Sequence, residues 1–139
     1  MSEPKPPVTL DLTWEGDLRF SGTSDGTTIL MDSAGKAGPS PIQALAFGLA
    51  GCMAMDVVHI LTKGRAVIDA MRVHLSGSRA DDHPRRFVAI EARFFVSGDM
   101  EGDKVERAIA LSREKYCSVW HSMRTDIDFK TTFEVAPRS

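Results

Sequence analysis

Two residues of this chain have side chains suited to covalent redox chemistry, Cys52 and Cys117. A cysteine thiolate is a nucleophile and an oxidisable centre, and two thiols held together can close a disulfide. By type and spacing alone the pair reads equally as two small buried hydrophobes, a common use of free cysteine. Gly48, Ala50, Gly51 and Ala54 flank Cys52, so side-chain bulk is missing around the sulfur. That composition suits close helix packing, and equally the approach of a second side chain or a substrate. Cys52 falls in mid-helix, out of reach of the positive end of the helix dipole, so a reactive thiolate there is expected to need a neighbouring cation. An arginine from another element would serve, and Arg19 is one candidate, on the opposite strand face from Leu18 and Phe20. Asp56 and His59 project from the same side of the helix as Cys52, with His59 about 10 Å further along the axis.

Other site chemistries find less support. The chain has only 4 histidines, His59, His74, His83 and His121, and no Cys-x-x-Cys or His-x-x-x-His pair. Cys117 and His121 lie one helical turn apart, but a full ligand set would have to converge from distant elements, so no metal is expected. Glycine-rich phosphate loops, the Gly-x-Ser-x-Gly elbow and the dinucleotide fingerprint are missing from the sequence. A net charge of −2 without a dense Lys/Arg run argues against binding to a nucleic-acid backbone.

The element that must position Cys52 is the stretch SPIQALAFGLAGCMAMDVVHILTKG, from Ser40 to Gly64. Ser40 and Gln43 form a capping box, Pro41 suits the first helical position, and Lys63 and Gly64 suit a helix end, with Gly64 expected in the left-handed closing conformation. The predicted helix spans roughly 34 Å and is apolar on nearly every side. Its charge-free run, Ile42 to Met55, is shorter than the ~20 residues a membrane span needs, and Asp56 and His59 come next. Such a helix is expected at the centre of a fold or inside an oligomer.

Before this helix, Val8, Leu10, Leu12 and Trp14 alternate with polar residues, and Leu18 and Phe20 continue the period after a turn at Glu15-Gly16. Asp25-Gly26 signals a tight hairpin leading to a strand over Thr27 to Met31. After it come strands through Met71, Val73 and Leu75 and through Val88, Ile90, Ala92, Phe94 and Val96. A second helix is next, with Asp103 and Glu106 as its expected cap and Val105, Ala108, Ile109 and Ser112 on one side. A last strand alternates through Ile127, Phe129, Thr131, Phe133 and Val135. The order βββ-α-ββ-α-β predicts an α+β fold of one domain over residues 1–139, with antiparallel sheets around the long helix. The opening residues, with three prolines before Val8, read as a loose arm without the apolar core of a signal peptide, and a cytoplasmic location is expected.

With both cysteine contexts in view, the chain resembles a known family. PSPIQALAFGLAGCMAMDVVHIL resembles the central helix of the osmotically inducible protein C (OsmC) family, which includes the organic hydroperoxide resistance (Ohr) proteins. EKYCSVWHSM, with the alternating last strand after it, resembles the region of that family's second cysteine. The resemblance implies an intertwined homodimer with paired central helices. It also implies a thiol peroxidase acting on organic, lipid-like hydroperoxides, with Cys52 as peroxidatic nucleophile and Cys117 as resolving cysteine. No cofactor is implied beyond an external dithiol reductant. The sequence departs from the better-characterised members at Ile42, where they carry a glutamate that orients an arginine beside the thiolate. That departure motivates the alternative: a non-enzymatic dimer of the same fold, binding a small apolar ligand, with structural or redox-sensing cysteines.

Overall fold

The computed structural model describes residues 4–137. Residues 4–7 carry no regular structure, in keeping with a proline-rich arm whose first three residues lie outside the described residues. Val8 to Leu10, expected in the first strand, carry none either, and the strand starts only at Asp11. The chain forms two compact units, the first ending at Leu45 and the second starting at Ala46.

The first unit is a three-stranded antiparallel meander of β1 (Asp11–Trp14), β2 (Arg19–Ser24) and β3 (Thr27–Asp32). The β2–β3 turn is Asp25-Gly26, with φ of 47° and 78°, the two successive positive values that match a hairpin's twist. Asp32, at the end of β3, organises the loop beyond it. Its carboxylate accepts the N–H groups of Ala34 and Ala37, each at 3.0 Å, and its own N–H donates to the Pro39 carbonyl at 3.1 Å. Those backbone donors, Ala37 first, hold the Asp32 carboxyl below its usual range, against the opposing effect of burial; the Lys36 N–H and the Arg19 charge add to them.

Helix α1 spans Pro41–Lys63, 23 residues, the bounds expected from the sequence. The capping box forms: the Ser40 N–H donates to Gln43 Oε1 at 2.9 Å and the Gln43 N–H to Ser40 Oγ at 3.4 Å. The C-terminal closure differs from expectation by one residue. Arg65, with φ 67°, takes the left-handed position instead of Gly64, while Ala66 N–H bonds the Leu61 carbonyl and Arg65 N–H that of Thr62. This is the paired closure of a Schellman motif, in which hydrogen bonding sets the position and glycine is only the easiest occupant.

The second unit holds β4 (Val67–Arg79), β5 (Phe87–Asp99), α2 (Gly102–Leu111) and β6 (Asp128–Ala136), with strand order β4-β5-β6. β4 and β5 are antiparallel; β6 runs parallel to β5. The expectation of antiparallel sheets therefore fails at this pair. A strand that returns through a helical crossover, as β6 does through α2, can pair in the parallel sense. The N-cap of α2 is Glu101 without a side-chain bond, so Asp103 lies inside the helix and does not cap it.

The core contains Phe87, Ile90, Ala92, Phe94 and Val96 from β5, Phe129 from β6, and Val105, Ala108 and Ile109 from α2. Helix α1 adds one stripe at four-residue spacing, Leu49, Met53, Val57 and Leu61. By length and composition α1 is apolar enough to cross a membrane, yet here it carries that core stripe. Part of its remaining apolar surface stays open, with Phe47 71% and Met55 74% exposed.

Candidate functional site

Cys52 lies on α1 beside the buried stripe and is half-buried, whereas Cys117 is fully buried; both thiols are free. Cys117 is delivered by a change of helix type. From Ser112 to Tyr116 the α2 helix widens into a π-turn, and the Cys117 N–H closes it on the Ser112 carbonyl at 2.8 Å. Such widened turns put an extra residue into the helix and re-aim the side chains beyond it. A short 3-10 turn, Trp120–Ser122, completes the segment. It is braced by the His121 N–H on the Cys117 carbonyl at 3.0 Å and by the Ser122 hydroxyl on the Ser118 carbonyl at 2.7 Å. The Trp120 ring packs on Phe129, with centroids 4.4 Å apart.

The turn presents three hydrogen-bonding groups to the Cys52 sulfur: the Val119 N–H, the Cys117 thiol and the Ser118 hydroxyl, whose oxygen lies 3.9 Å from Sγ. Burial is the largest single influence on Cys52 and raises its pKa, and the Asp56 charge raises it further; the three groups outweigh both, and the thiol ends below its ordinary value. Cys117 goes the other way, pushed up to about 11, first by burial and then by Cys52, against the Trp120 N–H that donates to its sulfur at 3.3 Å. One thiol is thus disposed to be the anion and its neighbour to be the donor.

This bears on the expectation of a neighbouring cation. In the second unit the groups that stabilise a Cys52 thiolate are neutral donors, and hydrogen bonds to the charged form lower a pKa without any counter-charge. Arg19 belongs to the first unit. There it stands opposite Asp32 across the β2–β3 ladder and lies 3.7 Å from Asp17 Oδ2. Asp56 and His59 separate as well. Asp56 Oδ2 accepts the Ser112 hydroxyl at 2.7 Å, whereas the His59 side chain is exposed. His121 bonds the Arg113 carbonyl through Nε2 at 3.0 Å, and no group of three or more His, Cys, Asp or Glu side chains among the described residues could hold a metal ion.

Ser118 and the Val119 N–H carry no signal in the sequence, because a hydroxyl and an amide become site groups only through the turn that aims them. Ser112 does leave one. It is a polar residue on the apolar side of α2, and a buried hydroxyl requires a partner.

The family model described as OsmC-like protein matches residues 33–132. The chain belongs to the OsmC-like family. Protein YhfA of Escherichia coli K12 is 39% identical over 125 residues, covering 88% of this chain and 93% of that protein. Among solved structures, a hypothetical protein from Aquifex aeolicus VF5 is 27% identical with a TM-score of 0.90, covering 97% of this chain and 100% of its own. An organic hydroperoxide resistance protein OsmC from Legionella pneumophila shares the fold at 16% identity, with a TM-score of 0.70 and coverage of 96% of this chain and 100% of its own. Both segments that carry the OsmC resemblance, around Cys52 and around Cys117, fall within the matched residues.

Proposed function

We propose that this OsmC-like protein is a cysteine-based thiol peroxidase for organic, lipid-like hydroperoxides. The carrying observation is the convergence on Cys52 Sγ of a second thiol, a hydroxyl and a backbone N–H. The Cys52 thiolate attacks the terminal peroxide oxygen; an S–O bond forms, the O–O bond breaks, and the alkoxide leaves and takes a proton to become the alcohol. Cys52 is then a sulfenic acid. Cys117 sulfur attacks it, forming the disulfide and releasing the hydroxyl as water with the Cys117 proton. A dithiol reductant returns two electrons and two protons. A Legionella protein of the same fold is named an organic hydroperoxide resistance protein, which supports organic hydroperoxides as the substrate class.

The same reading includes a cytoplasmic homodimer. Along α1, Phe47, Gly51, Met55 and Val58 recur on one side away from the buried stripe, with nothing within 4 Å of a Cβ built at Gly51. An open apolar stripe with a glycine in it suits the close approach of a second copy.

The test is peroxide consumption with cumene hydroperoxide and a dithiol, alongside mass spectrometry of the thiols. Wild type is expected to turn over and to form a Cys52–Cys117 disulfide. Cys52→Ser is expected to be inactive, and Cys117→Ser to stop at a Cys52 sulfenic acid trapped by dimedone. A wild type that consumes no peroxide and closes no disulfide overturns the reading and leaves the ligand-binding alternative.

A further inference from the structure

Ser112 is fully buried yet polar, and it sits where two supports of the site meet. Its hydroxyl donates to Asp56 Oδ2 at 2.7 Å, one helical turn along α1 from Cys52. Its carbonyl accepts the Cys117 N–H at 2.8 Å, closing the π-turn. One residue therefore connects the helix that carries the first thiol to the turn that carries the second. We propose that Asp56 and Ser112 are a positioning pair, Ser112 fastening the turn of Cys117, Ser118 and Val119 to helix α1 with the Asp56 carboxylate as anchor. The inference rests on the Cys52 site being the reactive one.

The pair acts on Cys52 in two opposed ways. Through position, it keeps the Val119 N–H, the Cys117 thiol and the Ser118 hydroxyl facing the sulfur, which favours the thiolate. Through charge, Asp56 disfavours it. Among the described residues, the titratable groups that act on Cys52 include Cys117 from the turn and Asp56 from α1 itself. The carboxylate that disfavours the thiolate by charge is thus also the acceptor that anchors the turn.

Two substitutions separate position from charge, read by the pH midpoint of Cys52 alkylation in the full-length protein. Asp56→Asn keeps an acceptor for Ser112 and removes the charge, so the midpoint is expected to fall and the alkylation rate below it to rise. Ser112→Ala keeps the charge and releases the turn. The midpoint is expected to rise, and closure of the Cys52–Cys117 disulfide by diamide to slow; Ser112→Thr, which retains the hydroxyl, is expected to restore both. A shift of both variants in one direction, or of neither, overturns the proposal. Should Ser112→Ala fail to fold, the Asp56→Asn result decides alone, and an unmoved or raised midpoint there overturns it. None of these readouts uses a peroxide, so they stand or fall apart from peroxidase turnover.

Discussion

At the scale of single residues, the two cysteines differ less in kind than in what faces them. Cys52 receives donors, and Cys117, more deeply buried, supplies one of them. With its pKa about 11, Cys117 stays a thiol at neutral pH, whereas Cys52 ionises below the ordinary thiol range. Iodoacetamide at pH 7 is therefore expected to label Cys52 well before Cys117, as peptide mapping against time would show. In Cys52→Ser, Cys117 loses the neighbouring thiolate, and its midpoint is expected to drop from about 11, with burial still acting to raise it. An unchanged Cys117 midpoint in that variant would mean the two sulfurs do not act on each other. In the proposed cycle this coupling orders the steps. Once Cys52 is a neutral sulfenic acid, its charge no longer opposes ionisation of Cys117, which becomes the better nucleophile when it must attack.

At the scale of elements, each side of the chemistry depends on an end or irregularity of a helix. The π-turn after α2 turns Cys117 inward, and the Asp32 loop leads into the capping box of α1. The loop has its own pH dependence. The folded pKa of Asp32 is depressed, so its contribution is present above the unfolded value of about 3.9 and is lost as pH falls through the folded value. Hydrogen exchange at the Ala34 and Ala37 amides is expected to lose protection selectively in that acid range, and Asp32→Asn to lose the acid-specific change. Protection that does not vary with pH in the wild type would remove the carboxylate from this role. Arg65 shows the same dominance of hydrogen bonding over residue preference: the closure bonds to Leu61 and Thr62 fix the left-handed site although Gly64 stands next to it.

At the scale of the whole molecule, the surface of α1 opposite its core stripe makes a prediction about assembly. A chain of 15.2 kDa that leaves Phe47 and Met55 more than two-thirds exposed on one helix is expected to run at twice its mass in light scattering. Replacing Phe47 and Met55 together by glutamate is expected to return the monomer mass with the fold retained by circular dichroism. A wild type that is monomeric at high micromolar concentration would end the dimer reading.

Much of this protein was determined by the sequence alone, where the signal is local. The bounds of α1, its capping box, the Asp-Gly hairpin and the apolar face of α2 come from spacing and turn chemistry, because each concerns neighbours within a few residues. The two cysteine contexts sufficed for the family. Tertiary structure decided what depends on residues distant in the chain. It made β6 parallel, since strand direction depends on where a crossover lands. It set the acidity of Cys52, since the groups that stabilise its thiolate lie at positions 117 to 119 and are aimed by a π-turn that no composition announces. It also joined Asp56 to Ser112, two polar residues on apolar helix faces that the sequence displays separately and only packing brings to 2.7 Å.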